Sequence, residues 1–220
     1  ESSIVSLAKE MAKNRTMISL SWSLTRQEHG EQPMWAGIML ASMLGQIGLP
    51  GGGFGFGYSA TNYIGGNFTV IPCKSLPQGK NKVGAFIPVA RITDMLLHPG
   101  EKFKFNGGDY HYPDIKLMYW AGGNPFHHHQ DINRLLQGWK NLDTIITNEW
   151  CWNALAKYSD IVLPCTIPLE REDIAMTPRD PFLISMDKVL TPYKDSLDDY
   201  EIFSRVAEKM GIKSEFTDNK

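Results

Sequence analysis

The stretch from Lys116 to Asn133, KLMYWAGGNPFHHHQDIN, constrains the fold of this chain more than any other. Its apolar run breaks at Gly122-Gly123, which reads as a buried strand handing its last residues to a loop, and helical spacing takes over from His129 to Leu142. In open α/β sheets ligands gather at the carboxyl ends of strands, beside the N-termini of the following helices, where unpaired N–H groups and the helix dipole favour an anion. Gly122 and Gly123 allow a close backbone approach or a positive φ, and Pro125 stiffens the exit. An ordinary strand-to-helix turn would use the same residues.

Three further runs share the pattern of an apolar, partly β-branched segment followed by a polar turn: Thr16 to Leu20, Thr144 to Thr147 and Asp160 to Pro164. Helical spacing lies between them. The alternation predicts a doubly wound, mainly parallel sheet with helices on both faces, built from strands near 16–21, 116–121, 144–148 and 160–164. Phe103-Lys104-Phe105 and Tyr110-His111-Tyr112 flank Asn106-Gly107-Gly108-Asp109, a hairpin signal, and residues 101–114 are expected to be a β-hairpin appendage to the sheet.

The remaining elements follow from local punctuation. Ile4, Leu7, Ala8 and Met11 make a short amphipathic helix ending at Asn14. From Pro33 to Leu49, Trp35, Ile38, Met39, Met43, Leu44 and Ile47 make a long buried helix that Gly48 ends. The glycine tract after it, LPGGGFGFG, follows a helix rather than opening one and is a weak nucleotide-binding signal. Residues 58–84 have little periodicity and form the longest connection. Phe86 to Leu97 returns to helix, Phe182 to Leu190 forms a strand, and the last helix runs from Asp198 to Met210 with acidic residues at its start. One domain is expected over 1–211, with a frayed tail over 212–220.

The 220 residues suffice for a sizeable core, and a net charge of −2 supplies no basic field for nucleic acid or an acidic membrane surface. Cys73, Cys151 and Cys165 lie far apart with no C-x-x-C pair, which argues against a zinc ribbon, an iron–sulfur site or a disulfide scaffold. The longest candidate for a membrane span, Met34 to Leu49, is interrupted by Gly37, Ser42, Gly45, Gln46 and Gly48, so no transmembrane segment is expected.

His127-His128-His129 invites a metal, but adjacent side chains point in different directions and zinc favours ligands two to four residues apart with more elsewhere. A polar helix-entry turn, with one histidine free to touch a ligand, is the competing reading. Glu170-Arg171-Glu172-Asp173 has a catalytic reading as a carboxylate pair and a plainer one as a solvated charge cluster. Gly-x-Ser-x-Gly is absent.

Taken together, five blocks resemble the molybdopterin oxidoreductases of the dimethyl sulfoxide reductase family, in the group of trimethylamine N-oxide, dimethyl sulfoxide and biotin sulfoxide reductases. They are SWSLTRQEHGEQP, MLGQIGLPGGGFGFGY, AGGNPFHHHQDINRL, SDIVLPCTIPLERED and DDYEIFSRVAEKMG, in the family's order and spanning nearly the whole chain. Two departures stand out: the segment after GFGFGY is shorter and different in sequence, and E-R-E-D replaces the usual E-R-N-D, with IAMTPRDPF after it.

The resemblance implies an interior portion of a much longer enzyme, gripping one of the two dinucleotides of a molybdenum-bis(molybdopterin guanine dinucleotide) cofactor. Trp22 and Arg26 would face the substrate pocket and touch the cofactor, with Ser23 beside it. Asn124 and His128 would hold the dinucleotide at the end of the central strand, while Asn148, Glu149 and Arg171 would contact its far end. There a carboxylate suits guanine N–H donors and a guanidinium suits phosphate or carbonyl oxygens. No metal ligand is expected among these residues, because the family's ligating serine lies in an earlier part of the chain.

The whole enzyme would reduce an S-oxide or N-oxide, with an electron-donor protein and the rest of its own polypeptide as partners. The 220 residues alone would be inactive. Relatives occur in the periplasm and in the cytoplasm, and the expectation here is the periplasm. The alternative function is a free-standing α/β nucleotide- or phosphate-binding module without catalysis of its own.

Overall fold

A computed structural model describes residues 1–56, 80, 82–83, 86–176 and 182–217. The chain divides into two compact units, one built from 1–73 with 177–182 and the other from 74–176 with 183–220, where one domain was expected. The connection expected over 58–84 lies almost wholly outside the described residues.

In the first unit helix α1 (Ser2–Lys13) ends at Asn14, strand β1 (Met17–Leu20) follows, and helix α2 (Glu31–Met43) leads to strand β2 (Gly53–Phe56). The two strands pair in parallel, Met17 opposite Gly53 and Leu20 opposite Phe56. β2 was hidden in the glycine tract. Its glycines serve packing: Gly53 and Gly55 are buried, and the helix above contributes Gly37, where a Cβ would come within 2.7 Å of Leu20 and 2.9 Å of Phe54. α2 therefore meets the sheet through Gly37 and Ala41, its only buried residues, and Trp35 and Met43 stay 70% and 82% exposed. That corrects the expectation of a helix buried along its large apolar face, and the helix also stops six residues short of Leu49.

In the second unit a 3-10 turn at Val89–Arg91 runs into helix α3 (Ile92–Leu97), and strands β3 (Lys102–Phe105) and β4 (Gly108–His111) form the hairpin. Its two-residue turn, Asn106-Gly107, takes φ of 47° and 79°, the left-handed pair that matches strand twist. The hairpin is more than an appendage. Phe103 and the following Tyr112 stack at 4.4 Å and are buried in the core with Met95, Leu96, Met118, Leu135, Trp139, Ile145 and Leu155.

Strand β5 (Leu117–Ala121), helices α4 (Pro125–His128) and α5 (Ile132–Trp139), strand β6 (Thr144–Glu149), helix α6 (Ala154–Lys157) and strand β7 (Ile161–Pro164) complete the centre of this unit. The sheet order is β5-β6-β7, all parallel, with Ala121 opposite Asn148 and Glu149 opposite Pro164. This is the α/β arrangement that the apolar runs predict, carried by two small parallel sheets. β1, expected in one sheet with β5, β6 and β7, pairs instead with β2. Leu135 and Leu155 are fully buried, and the Trp139 Nε1–H donates to the Tyr158 carbonyl over 2.8 Å. Burying two such leucines contributes roughly 2 kcal/mol each.

Beyond β7, strands β8 (Asp173–Met176) and β9 (Leu183–Met186) form an antiparallel pair, and helices α7 (Asp199–Lys209) and α8 (Lys213–Thr217) close the chain. β8 was not anticipated. α8 occupies the stretch expected to fray, because Phe216 stacks on Tyr200 at 5.8 Å and fixes that turn to α7.

Candidate functional site: a polar crevice at the carboxyl ends of β5 and β6

Parallel strands finish side by side, so the loops after β5 and β6 open on one crevice. Gly122, Gly123, Asn124, His128, Asn148, Glu149, Trp150, Cys165 and Asp199 line a cavity of about 280 Å³ there. Both glycines take positive φ, 75° and 73°, as the sequence anticipates, and a Cβ on Gly122 would meet nothing within 4 Å. The backbone therefore turns away under the cavity without filling it.

Asn124 caps α4, its Oδ1 accepting from Phe126 N–H at 3.0 Å. The other half of the amide is unused among the described residues: Nδ2 is buried without a partner there, on a residue only 8% exposed. A buried donor left unpaired costs about 1–3 kcal/mol, so a ligand acceptor at this point is favoured. α4 is a single turn, too short for its dipole to matter much, and side chains rather than a helix end give the crevice its chemistry.

Asn148 is fixed on both sides. The Tyr119 hydroxyl donates to its Oδ1 over 2.8 Å and its Nδ2 donates to Asp199 Oδ1 over 2.7 Å. Burial and the charge of Asp199 push the Tyr119 hydroxyl pKa upward, keeping it protonated and a donor. Glu149, also 8% exposed, accepts at Oε1 from Trp150 N–H over 3.1 Å, and no described residue donates to its other oxygen. Among the described residues the crevice thus offers a buried free donor at Asn124 Nδ2 and carboxylate acceptors at Glu149 and Asp199.

The three histidines diverge, as expected of neighbours on a turning backbone. His127 and His128 are exposed, while His129 is half-buried, its Nε2 without a partner among the described residues and its ring edge-on to Trp120 at 6.1 Å. Burial, then the proximity of His128, lowers the His129 pKa. Among the described residues no group of three or more His, Cys, Asp or Glu is placed to hold a metal ion.

Arg171 lies in an adjoining cavity of about 710 Å³ that shares Asp199 with the first. Its nitrogens are committed within the protein: Nε and Nη2 donate to Asp173 Oδ2 at 2.9 Å, and Nη1 donates to the Thr166 carbonyl at 2.6 Å. Glu170 is equally engaged, accepting from the backbone N–H of Ile167 and of Tyr193. The E-R-E-D segment is a clamp that shapes this wall, with Arg171 and Glu170 as its jaws.

Trp22, Ser23 and Arg26 belong to the first unit, in and just after a 3-10 turn at Trp22–Thr25 capped by Ser21. At three residues per turn it is Thr25, not Arg26, that stands over Trp22, with Thr25 Oγ1–H donating to the Trp22 carbonyl over 2.8 Å. Trp22 packs on Phe56 at 5.5 Å, and the Arg26 guanidinium is exposed without a partner among the described residues.

Sequence reasoning missed Tyr119, Trp150, Cys165 and Asp199. Asp199 was legible only as an acidic residue at a helix start, and its pairing with Asn148 spans 51 positions. Trp150 stood beside two named residues, but nothing in the sequence says which way an indole at a strand end points.

Fold and crevice together define an α/β domain built to present polar groups to a ligand at the carboxyl ends of parallel strands. Residues 3–209 match the family model described as "Molybdopterin oxidoreductase", and the chain belongs to that family. It is 44% identical over 217 residues to biotin sulfoxide reductase from Cereibacter sphaeroides, covering 99% of this chain and 29% of that protein. Identity is also 44% over 233 residues to trimethylamine-N-oxide reductase from Haemophilus influenzae, covering 99% of this chain and 28% of the relative. The chain thus spans less than a third of these curated relatives. Among solved structures, acetylene hydratase from Pelobacter acetylenicus is similar over 48% of this chain and 14% of that one, with 24% identity and a TM-score of 0.43.

Proposed function

We propose that this chain is the cofactor-gripping portion of a molybdenum enzyme that reduces an S-oxide or N-oxide, and that its crevice holds one molybdopterin guanine dinucleotide of a pair. The supporting observation is the buried Asn124 Nδ2, without a partner among the described residues, in the lining of a cavity whose other polar groups include the buried carboxylate Glu149. That donor set fits the cofactor: a guanine or pterin ring offers a carbonyl oxygen to an amide N–H and ring N–H groups to a carboxylate.

In this reading Asn124 donates to the dinucleotide and His128 lies beside it, Asn148 and Glu149 contact its far end, and Arg171 supports that end by holding the wall against Thr166 and Asp173. Trp22, Ser23 and Arg26 serve the cofactor and the substrate pocket. Arg26, a cation with five donors, orients the polar oxide group. When bound, the molybdenum centre supplies the oxygen-atom transfer chemistry, and the protein supplies binding, orientation and exclusion of side reactions. The three parallel strands would belong to a doubly wound sheet completed by the rest of the polypeptide, with an electron-donor protein as partner and the periplasm as compartment.

The relatives' names carry the substrate class: biotin sulfoxide, dimethyl sulfoxide and trimethylamine N-oxide. The test is turnover of these three oxides by the full-length protein with a reduced viologen donor. Reduction of at least one is expected, and inertness of the cofactor-loaded protein toward all three would overturn the assignment of substrate class.

A further inference from the structure

Trp150 follows directly on β6 and lines the crevice, yet its side chain is 66% exposed. It has no aromatic or cationic partner among the described residues, unlike Trp120, Trp139 and Trp22, which all pack on rings. Its backbone is not free: the N–H donates over 3.1 Å to Oε1 of Glu149, which lines the same cavity. Asn124, whose buried Nδ2 has no partner among the described residues, lines the cavity too.

From this arrangement we infer that Trp150 is a stacking platform for a planar heteroaromatic ring whose edge is read by Glu149 and Asn124. The inference rests on the crevice being the ligand site and adds a residue to it. An exposed indole has much apolar area to gain by covering a flat π-face, and such stacking tolerates many rings, so it supplies affinity without choosing among them. Choice falls to the edge. A 2-amino-4-oxopyrimidine edge places adjacent N–H donors beside a carbonyl oxygen, matching a carboxylate beside an amide N–H, whereas adenine presents the reverse order. Guanine and pterin both carry the matching edge.

The experiment uses cofactor-free full-length protein titrated separately with GMP, biopterin and AMP, binding being followed by quenching of tryptophan fluorescence and by calorimetry. GMP or biopterin should bind at least 10-fold tighter than AMP, and whichever binds tighter identifies the ring this crevice takes. Trp150→Ala should weaken that ligand at least 5-fold, Trp150→Phe should stay within 3-fold of wild type, and Trp150→Leu should behave like Trp150→Ala.

If Leu restores binding as well as Phe, or if Trp150→Ala binds like wild type while Glu149→Gln does not, the stacking role is refuted and the crevice remains the ligand site. If Glu149→Gln and Asn124→Ala also bind like wild type, the crevice assignment itself fails. Should the Ala variant not fold, the comparison of Phe with Leu decides alone.

Discussion

The Asn148 side-chain amide donates to Asp199 Oδ1 over 2.7 Å, tying the carboxyl end of β6 to the first turn of α7 across 51 positions of sequence. On the other side of the same amide the Tyr119 hydroxyl of β5 donates to Oδ1. This relay fixes the orientation of Asn148, since the hydroxyl donates to the oxygen and the NH₂ end must face the carboxylate. It also brings Asp199 to the junction of the two cavities.

The relay should behave as one unit. Tyr119→Phe and Asp199→Ala are each expected to lower stability by about 1 kcal/mol, and the double variant by clearly less than the sum, because either change leaves Asn148 half-satisfied. Urea unfolding of the cofactor-free protein measures this, and strict additivity would show that the two bonds act independently.

Arg26 is the one proposed substrate-side cation whose guanidinium has no partner among the described residues of its own unit. In the full-length enzyme Arg26→Ala should keep its molybdenum content and lose about 10-fold or more in kcat/KM, or at least about 1.4 kcal/mol of transition-state stabilisation. Unchanged kinetics at full metal occupancy would make it a surface residue. Loss of metal would reassign it to cofactor retention.

How much of this was legible in the sequence depends on the range of the interaction. The strands β5, β6 and β7 and the positive-φ glycines at the crevice announce themselves locally, through apolar runs and a Gly-Gly break. The grouping of Asn124, His128, Asn148 and Glu149 in one cavity follows from parallel strands ending together. β2 was not legible because Gly-Phe-Gly-Phe has low strand propensity and gains its place from packing under Gly37 and against β1. The placement of β1 outside the β5-β6-β7 sheet, the burial of Phe103 and Tyr112, and the docking of Phe216 are likewise tertiary outcomes. Local pattern carries no record of them.

Cys165 offers a pH test. Burial, then the charges of Asp199 and Glu149, push its thiol up to about 11. Because the folded value lies above the ordinary thiol range, protonated Cys165 favours the fold at neutral pH, and that contribution is lost as pH rises through about 11. The thiolate is the nucleophile, so at pH 8 iodoacetamide should modify exposed Cys151 well before Cys165, with the Cys165 rate climbing steeply only above pH 10. Site-resolved mass spectrometry reads both, and equal rates at pH 8 would contradict the half-buried, acid-flanked environment.

The most direct test of the crevice as the cofactor grip is the molybdenum and acid-released GMP content, per polypeptide, of purified full-length protein. Asn124→Ala combined with Glu149→Gln should fall below half of the wild-type level of GMP with the protein still folded, while Lys104→Ala on the exposed face of the hairpin keeps the full amount. Full retention of GMP and molybdenum by the crevice variant would contradict the account.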